Sequence, residues 1–578
     1  MMLANNDEST MWKFRYFIKL YWKILLMIVW PLILLFLFIV YDNSQESRCG
    51  YVVLLMVGYW VTQCLPLGMT SLLPLLLFPC LGILSIRDTG ACYINDATMI
   101  LIGGFILATA IEDSNLHMRI ALKVIQVFSY NHYSLLSGVI LVTFLLSMWI
   151  TSTAATFMMM PIIFDVLGEL EREGLGNVFV NTESLGNPNS QPKPSKLTTT
   201  YLMGTAYAAI FGGSSTLVGS PSNLAFKGIF EKIFLCGPKI GFGQWMMFAV
   251  PLSLLNLCFT WIYVVSFLFF ATLPTNDQNA QSYTAMKGQI RNVIKRVMKA
   301  KSDSLGKMTS HELGVVIMFV LFVILLVTRE PGFMPGWTSI LPGKEIPYSA
   351  PILLVSVLMF LTPKDLDFLY VWANDPNKRP KTSSEGLVTL KSIETRMPWS
   401  LMFLLGAGVA VSDGMAKSFL ARNLDDAIEP LLGDENWSLL LYEVLAIVGV
   451  VTNITPDVVT ANIVLPFLAS VSTFTSVNPL SFMVTGALMC SYSFFSSFGS
   501  PPLAVIRNAG RATVKSLILR GLGPAIISYM LLPNLYVLFG SDYVYHKGIQ
   551  RLFWSNKNFI TESHLSTTTC DQLSRTDP

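Results

Sequence analysis

Long apolar stretches separated by short polar ones run through almost the whole chain. About 20 consecutive apolar residues cross the hydrocarbon core of a bilayer as one helix, so stretches of this length predict membrane spans. The first block covers 25–40, and further spans are predicted near 50–64, 66–85, 96–114, 199–230, 244–272, 312–328, 348–363, 399–418, 481–506 and 513–540. The pattern predicts an all-α polytopic membrane protein with about 11 transmembrane helices.

Two apolar runs, 134–165 and 437–470, are too long for one plain span, and each carries a polar interruption followed by a proline. We expect each run to form a re-entrant hairpin with its tip at the interruption. A broken segment with a Gly-Ser-Pro sequence follows each hairpin, in 199–230 and in 481–506. The breaks have a plain alternative as kinks, because membrane helices tolerate glycine and proline. Their recurrence in both halves favours an inverted-repeat transporter with its substrate site between the repeats.

Basic residues indicate the orientation of the chain. The linker between the two halves carries a cluster of them, which the positive-inside rule places in the cytoplasm: Lys287, Arg291, Lys295, Arg296, Lys299, Lys301 and Lys307. A basic amphipathic helix resting on anionic lipid would lie on the same side. The first helix follows four basic residues and has no cleavage site after it, so we expect it to remain, with the N-terminus cytoplasmic and the C-terminus extracellular.

These markers divide the chain into five parts. The predicted parts are the N-terminus, first helix and outer loop (1–49), the first repeat (50–272), the cytoplasmic linker (273–311), the second repeat (312–540) and an extracellular tail (541–578). The glycosylation sequon at Asn436 then falls on the outer side.

Composition narrows the functional class. With 53% hydrophobic residues, 13% charged residues and a mean hydropathy of +0.55, the chain holds more apolar surface than one soluble core can bury. A net charge of +3 argues against a nucleic-acid partner. The eight cysteines show no Cys-x-x-Cys spacing, and no phosphate-binding glycine loop occurs, so we expect no zinc site, no cofactor and no coupling to ATP hydrolysis. No part outside the membrane is large enough for an enzyme domain.

Four blocks in the right order, 65–74, 115–122, 212–219 and 397–408, resemble the divalent anion:sodium symporters, a family that includes animal citrate, dicarboxylate and sulfate carriers. The resemblance extends over nearly the whole chain. It implies an inverted repeat in which a scaffold domain holds a mobile transport domain, usually within a homodimer. It also implies a small anionic substrate and sodium as the coupling ion.

That family has a Ser-Asn-Thr triplet at each hairpin tip, and this chain departs from it twice. The first triplet position holds Thr151, Ser152 and Thr153, which all carry hydroxyls able to donate to an anion. The asparagine amide is lost at Ser152, so the resemblance implies weaker binding in this half. The family asparagine after the helix break survives as Asn223 in the first half and is replaced by Leu503 in the second.

The second triplet position is Pro456, Asp457 and Val458, a larger departure. One interpretation is an ordinary helix start, with Thr455 as N-cap, Pro456 at the first helical position and Asp457 near the positive helix end. However, an ionisable group at membrane depth is by default a functional hypothesis. An ionised Asp457 would repel an anionic substrate unless sodium or a proton were bound beside it. We therefore expect altered cation coupling and a sensitivity to protons.

The resemblance assigns the site residues as follows. Substrate would contact Thr151, Ser152, Thr153, Ser220, Pro456, Asp457, Val458 and Ser500. The first sodium ion would be held by Ser147, Thr151, Ser152 and Gly219, and the second by Thr452, Thr455, Asp457 and Gly499.

The leading hypothesis is a plasma-membrane carrier for di- or tricarboxylates such as succinate and citrate, either cation-coupled or operating as an exchanger. A carrier of sulfate or another inorganic divalent anion with the same fold is the first alternative. The degenerate triplets also leave open a paralogue that has lost transport and acts as a regulator or dimer partner in the membrane.

Overall fold

A computed structural model of the protein describes residues 2–40, 43–128, 131–174, 177–180, 193–235, 237, 239–272, 280–329, 336–340, 346–367, 371, 380, 383–423, 437–475 and 477–537. Within this part the only paired strands are the two-residue strands Phe179–Val180 and Lys193–Pro194, which run antiparallel. Nearly everything else is helical, so the predicted all-α class is confirmed. The sequon at Asn436 and the tail 541–578 lie outside the described residues.

The helices fall into two groups. Those before the linker are Met2–Leu34, Phe36–Val40, Gln45–Thr62, Leu67–Thr70, Leu73–Cys80, Ile86–Tyr93, Asp96–Asp113, Leu116–Val127, His132–Ser147, Ser152–Arg172, Lys196–Ser214, Pro221–Ile233 and Phe242–Thr272. The remaining ones are Ala280–Leu305, Ser310–Val327, Ser349–Leu361, Leu390–Arg396, Trp399–Lys417, Trp437–Val451, Asp457–Phe474, Pro479–Ser491, Pro501–Asn508 and Val514–Leu535, with a 3-10 turn at Trp337–Ile340.

Seven helices in the described part are long and apolar enough to cross a bilayer on their own. Helices that follow one another almost directly are taken together here, as in Met11–Ile39 and Ile86–Asp113. The other five are Ser152–Arg172, Phe242–Phe269, Ser310–Val327, Trp399–Lys417 and Val514–Leu535. Other apolar helices are shorter, and several of them end at the hairpin tips and the helix breaks. The total of about 11 spans therefore stays a prediction.

The first hairpin consists of His132–Ser147 and Ser152–Arg172, joined by a short tip. Asn131 caps its first helix by accepting a hydrogen bond from the backbone N–H of Ser134 at 2.8 Å. Thr151 caps the second helix in the same way, accepting from Ala154 N at 3.3 Å. The second hairpin consists of Trp437–Val451 and Asp457–Phe474.

Each hairpin packs against a broken helix. The first broken helix is Lys196–Ser214 followed by Pro221–Ile233, and the second is Pro479–Ser491 followed by Pro501–Asn508. The first hairpin packs on the first half of the first broken helix, and the second hairpin on the first half of the second. Each hairpin also contacts the second half of the other broken helix. The four breaks in the apolar pattern consequently meet in the interior.

The ends of the two hairpins that lie opposite their tips are found near opposite ends of the C-terminal helix Val514–Leu535. Just before that helix begins, Arg511 lies over the ring of Phe179, which follows the first hairpin. At its other end, the Tyr536 hydroxyl accepts a hydrogen bond from Ser481 Oγ at 3.3 Å, close to where the second hairpin ends. The tips of the two hairpins thus approach each other from opposite sides.

The helix Ala280–Leu305 in the linker lies beside the base of the first hairpin. It buries an apolar stripe with helical spacing: Ile290, Val293, Ile294 and Met298. Ion pairs fasten it to the hairpin, with Arg296 at 2.9 Å from Glu173 and Lys301 bound to Asp165. The linker is therefore an ordered amphipathic helix in this region.

Candidate functional site

A narrow cavity lies where the two hairpin tips and the two helix breaks meet. Five residues singled out from the sequence line it together, namely Ser152, Ser220, Asp457, Gly499 and Ser500. Its other lining residues are Ile210, Gly213, Ser491, Pro501 and Pro502. About 10 Å³ of it is open to the centre of a water molecule, which is room for roughly one water.

Four helices begin at this cavity, and their N-termini carry partial positive charge. They are Ser152–Arg172, Pro221–Ile233, Asp457–Phe474 and Pro501–Asn508. No lysine, arginine or histidine is among the lining residues. An anion in the cavity would therefore depend on helix ends, hydroxyls and bound cations for its charge compensation.

Backbone oxygens converge beside the first hairpin tip. A Cβ atom added to Gly219 would lie 2.6 Å from the carbonyl oxygen of Gly213 and 2.9 Å from that of Ser147. A Cβ on Gly213 would lie 3.0 Å from the Gly219 oxygen and 3.4 Å from Ser147 Oγ. Only glycine leaves this space open. We call the oxygens that border it, the carbonyls of Ser147, Gly213 and Gly219 and Ser147 Oγ, the first oxygen cage. Carbonyl oxygens of unwound membrane helices are typical sodium ligands, so this first oxygen cage fits the ion.

Side-chain hydrogen bonds hold the first oxygen cage in place. Thr216 Oγ1 donates to the Met148 carbonyl at 2.6 Å and accepts from Gly219 N at 3.0 Å. The Asn223 amide donates to the Thr216 carbonyl at 2.7 Å. In the described part of the chain its Oδ1 atom has no hydrogen-bond partner, although it is buried. Asn223 thus offers one further oxygen close to the cage.

The second helix break repeats this arrangement with different side chains. A Cβ atom on Gly499 would lie 2.0 Å from the Thr452 carbonyl oxygen and 2.6 Å from Ser493 Oγ. Thr452 Oγ1 donates to the Cys490 carbonyl, as Ser147 Oγ donates to the Ala209 carbonyl in the first half. We call this group the second oxygen cage. Unlike the first, it contains the Ser493 hydroxyl, which donates to Asn453 Oδ1 at 3.0 Å.

Asp457 is the first residue of its helix and faces the cavity. Its Oδ1 atom accepts from Val458 N at 2.8 Å. The described residues place no cationic side chain at ion-pair distance from it. The carboxylate therefore lines the cavity without a cationic side chain of the described residues to balance it.

The interpretation of Thr455 as N-cap is wrong. Pro456 occupies the N-cap position, and it has no side-chain cap bond. The Thr455 hydroxyl instead contacts Thr460 Oγ1 at 2.7 Å and the Val451 carbonyl at 3.2 Å. Asp457 does begin a helix, as the sequence suggested, but the helix start lacks the side-chain cap that was expected.

Several candidate residues do not reach the cavity wall. Thr151 serves as the cap next to Ser152, and Thr153 and Pro456 are half-buried without lining the cavity. Val458 is 1% exposed and packs in the apolar core, because the helix turns its side chain away from the cavity. Ser147, Gly219 and Thr452 lie behind the wall, in the two oxygen cages.

Three further residues line the cavity although their sequence positions did not indicate it: Ile210, Gly213 and Ser491. Ile210 and Ser491 directly follow Ala209 and Cys490, the residues whose carbonyls accept from the hairpins. Both lie at the cavity end of an apolar half-helix, Ile210 a few residues before the break and Ser491 directly before it. Their position near a break could have indicated that they line the cavity. However, nothing in the local pattern distinguishes such a residue from one that only packs.

Comparisons with known proteins show the family of the chain. The family model of the sodium:sulfate symporter transmembrane region matches residues 18–544. The protein "I'm not dead yet" of Drosophila melanogaster is 34% identical over 520 residues, covering 89% of this chain and 88% of its own length. Na(+)/dicarboxylate cotransporter 3 of Mus musculus is 32% identical over 534 residues, covering 84% of this chain and 87% of its own.

The Na(+)/citrate cotransporter of Rattus norvegicus is 28% identical over 537 residues, covering 88% of this chain and 92% of its own. These matches span nearly the whole chain, and they confirm the resemblance seen in the four sequence blocks. The chain therefore belongs to the sodium:sulfate symporter family, and it is an integral membrane transporter rather than an enzyme.

Proposed function

We propose that the chain is a secondary transporter of di- or tricarboxylate anions of the succinate and citrate class, located in the plasma membrane and coupled to sodium or operating as an exchanger. The cavity that joins Ser152, Ser220, Ser500 and Asp457 is the observation that carries the proposal. Relatives named as dicarboxylate and citrate cotransporters support the choice of substrate.

The substrate carboxylates are bound by hydroxyls and helix N-termini. Ser500 is buried, and its Oγ atom has no partner among the described residues, so it is free to donate to an anion. Ser152 adds a hydroxyl from the first hairpin, and Ser220 contributes to the wall of the same cavity. Because no cationic side chain lines the cavity, we propose that helix ends and coupling ions supply the positive charge.

The coupling ions occupy the two oxygen cages. Ser147 and Gly219 of the first cage form the first sodium site together with the adjacent Thr151 and Ser152. Thr452 and Gly499 of the second cage form the second site together with Thr455 and Asp457. Sodium beside Asp457 would neutralise a carboxylate that otherwise repels the substrate. Binding of substrate and of the second sodium ion would then be mutually dependent.

Alternating access requires the site to open first to one side and then to the other. We propose that the hairpins and broken helices move together as a transport domain against the remaining helices, which form the scaffold, in a homodimer. The linker 273–311 is proposed to be cytoplasmic.

Uptake into vesicles containing the purified protein tests this function. Labelled succinate and citrate should enter, and a sodium gradient should accelerate their uptake unless the chain is an exchanger, in which case internal dicarboxylate should do so. The family model is described by sulfate, so labelled sulfate is the third substrate to measure. Uptake of sulfate alone would replace the proposed substrate, and no uptake of any of the three would favour the non-transporting paralogue.

Asp457→Asn tests the role of this carboxylate in cation coupling. The amide keeps the size of the side chain and removes its charge, so we expect uptake that depends less steeply on sodium. Asp303→Asn is the matched control, because Asp303 is exposed on the linker helix. If Asp457→Asn showed the sodium and pH dependence of the unsubstituted protein, Asp457 would have no part in coupling.

A further inference from the structure

The two halves of the fold place different side chains at equivalent points of the cavity wall. In the first half, Ser147 Oγ donates to the Ala209 carbonyl at 2.6 Å, and the next residue, Ile210, lines the cavity. In the second half, Thr452 Oγ1 donates to the Cys490 carbonyl, and the next residue is Ser491. One wall is therefore apolar, whereas the opposite wall carries a hydroxyl.

Ser491 forms a triangle of hydroxyls with two serines of the first broken helix. Its Oγ atom lies 2.6 Å from Ser222 Oγ and 3.2 Å from Ser220 Oγ, and the latter two atoms are 2.7 Å apart. Each hydroxyl has one hydrogen to donate and two lone pairs to accept. Closing the triangle uses the three hydrogens and leaves lone pairs. With the triangle closed in this way, the three serines present acceptors only, which suit a donor group better than a carboxylate oxygen.

Donors for a carboxylate lie elsewhere in the same cavity. Ser500 Oγ is buried without a partner in the described part of the chain, and it precedes the helix Pro501–Asn508. Ser152 begins the helix Ser152–Arg172 on the side of the first hairpin. If a substrate carboxylate is bound at these positions, Ser491 remains available to contact another part of the substrate.

We infer that Ser491, held in place by its contacts with Ser220 and Ser222, is a specificity-determining residue that accepts a hydrogen bond from a hydroxyl group on the carbon skeleton of the substrate. A 2-hydroxydicarboxylate such as malate is then bound more tightly than the unsubstituted dicarboxylate succinate. This inference rests on the proposed function, because it assumes that the chain carries dicarboxylates. Only one wall carries the hydroxyl triangle, so the site also distinguishes the two enantiomers of malate.

The expected preference is moderate. A site built to hydrogen-bond a substrate hydroxyl discriminates strongly when its polar groups are otherwise left unpaired. Here the three serines already bond to one another, so an absent substrate hydroxyl leaves little unsatisfied. We expect a preference of about tenfold, well below the largest ratios that hydroxyl recognition reaches.

Inhibition of labelled succinate uptake by unlabelled succinate, L-malate and D-malate tests the inference in vesicles containing the full chain. In the unsubstituted protein, one malate enantiomer should inhibit at about a tenth of the succinate concentration. Ser491→Ala should abolish this preference and bring the two enantiomers together. Ser491→Thr retains a hydroxyl and should preserve both differences.

Ser481→Ala is the matched control, because Ser481 lies on the same helix and its hydroxyl bonds to Tyr536 at 3.3 Å, away from the cavity. It should leave the selectivity unchanged. Equal weakening of all three inhibitors by Ser491→Ala would overturn the inference, since Ser491 would then only hold the two broken helices together. Equal inhibition by all three in the unsubstituted protein would overturn it as well.

Failure of the proposed function has a different signature. The unsubstituted protein would then take up neither succinate nor malate in the uptake assay, before any variant is compared. That result would remove the substrate class and the inference together, whereas succinate uptake without hydroxyl selectivity would overturn the inference alone.

Discussion

Single glycines keep the two oxygen cages open. At Gly219 and Gly499 a side chain would meet backbone carbonyl oxygens at less than the distance that any real Cβ contact shows. Backbone cannot yield as the end of a flexible side chain can, so the oxygens would have to separate. Substitution is therefore more restricted at these two glycines than at the altered triplet positions of the hairpin tips.

Gly219→Ala should weaken sodium binding. Overpacking of this kind costs about 1–3 kcal/mol, which would correspond to about fivefold to 150-fold in affinity. The sodium concentration for half-maximal uptake should rise accordingly. Gly168→Ala is the control on the first hairpin, because its added Cβ meets nothing within 4 Å. Equal sodium dependence of the two variants would contradict the assignment of the first oxygen cage.

At the scale of elements, a buried lysine connects the second half of the first broken helix, Pro221–Ile233, to the neighbouring helix Asp96–Asp113. Lys227 is fully buried and lies 3.3 Å from Asp96, beside Glu231 and over the Tyr348 ring. The same half-helix begins at the cavity, so these ion pairs also position the site. Any movement of this helix against its neighbours must rearrange them.

Lys227→Met should destabilise the protein strongly. Breaking a buried ion pair costs about 3–5 kcal/mol, and we expect the lower value because Asp96 and Glu231 are 22% and 23% exposed at the side chain. Lys417→Met removes a lysine that is 47% exposed and should cost about 0–1 kcal/mol. Thermal unfolding of both variants in detergent measures the difference. A similar melting temperature for the two would show that the buried pair adds no stability.

At the scale of the whole molecule, polar contacts gather several basic segments at one end of the bundle. Arg119 bonds to Glu312 at 2.9 Å and to the Gly306 carbonyl, and Arg396 bonds to Asp113 at 2.7 Å. The linker helix Ala280–Leu305 leads into this end. The basic residues gathered at this end of the bundle agree with the proposal that this end is cytoplasmic.

Labelling from either side of the membrane tests that orientation. Lys299 is exposed on the linker helix, so Lys299→Cys should react with an impermeant maleimide only after the cells are opened. A tag added at the C-terminus should be accessible in intact cells. Labelling should be compared with the unsubstituted protein, which has its own cysteines. Reaction of Lys299→Cys in intact cells would reverse the proposed orientation.

Much of the architecture could be predicted from the order of residues. The apolar runs at 134–165 and 437–470, each with one polar interruption, indicated helices that turn back, and two helices with a tip are found at each place. Hydrophobic periodicity is a local property, so it predicts helices without knowledge of their partners. The end of the first hairpin was less predictable, because its second helix continues to Arg172 along the linker helix.

The composition of the site depended on the fold. Ser220 and Ser491 are 271 residues apart in the chain, and their hydroxyls meet only because the two broken helices cross at their breaks. The same crossing brings Asp457 to the cavity and turns its neighbour Val458 into the core. The local pattern of apolar and polar residues was sufficient for membrane helices and their interruptions. Which interruptions share one chamber was decided by long-range packing, since backbone groups freed at a break must find their partners on other elements.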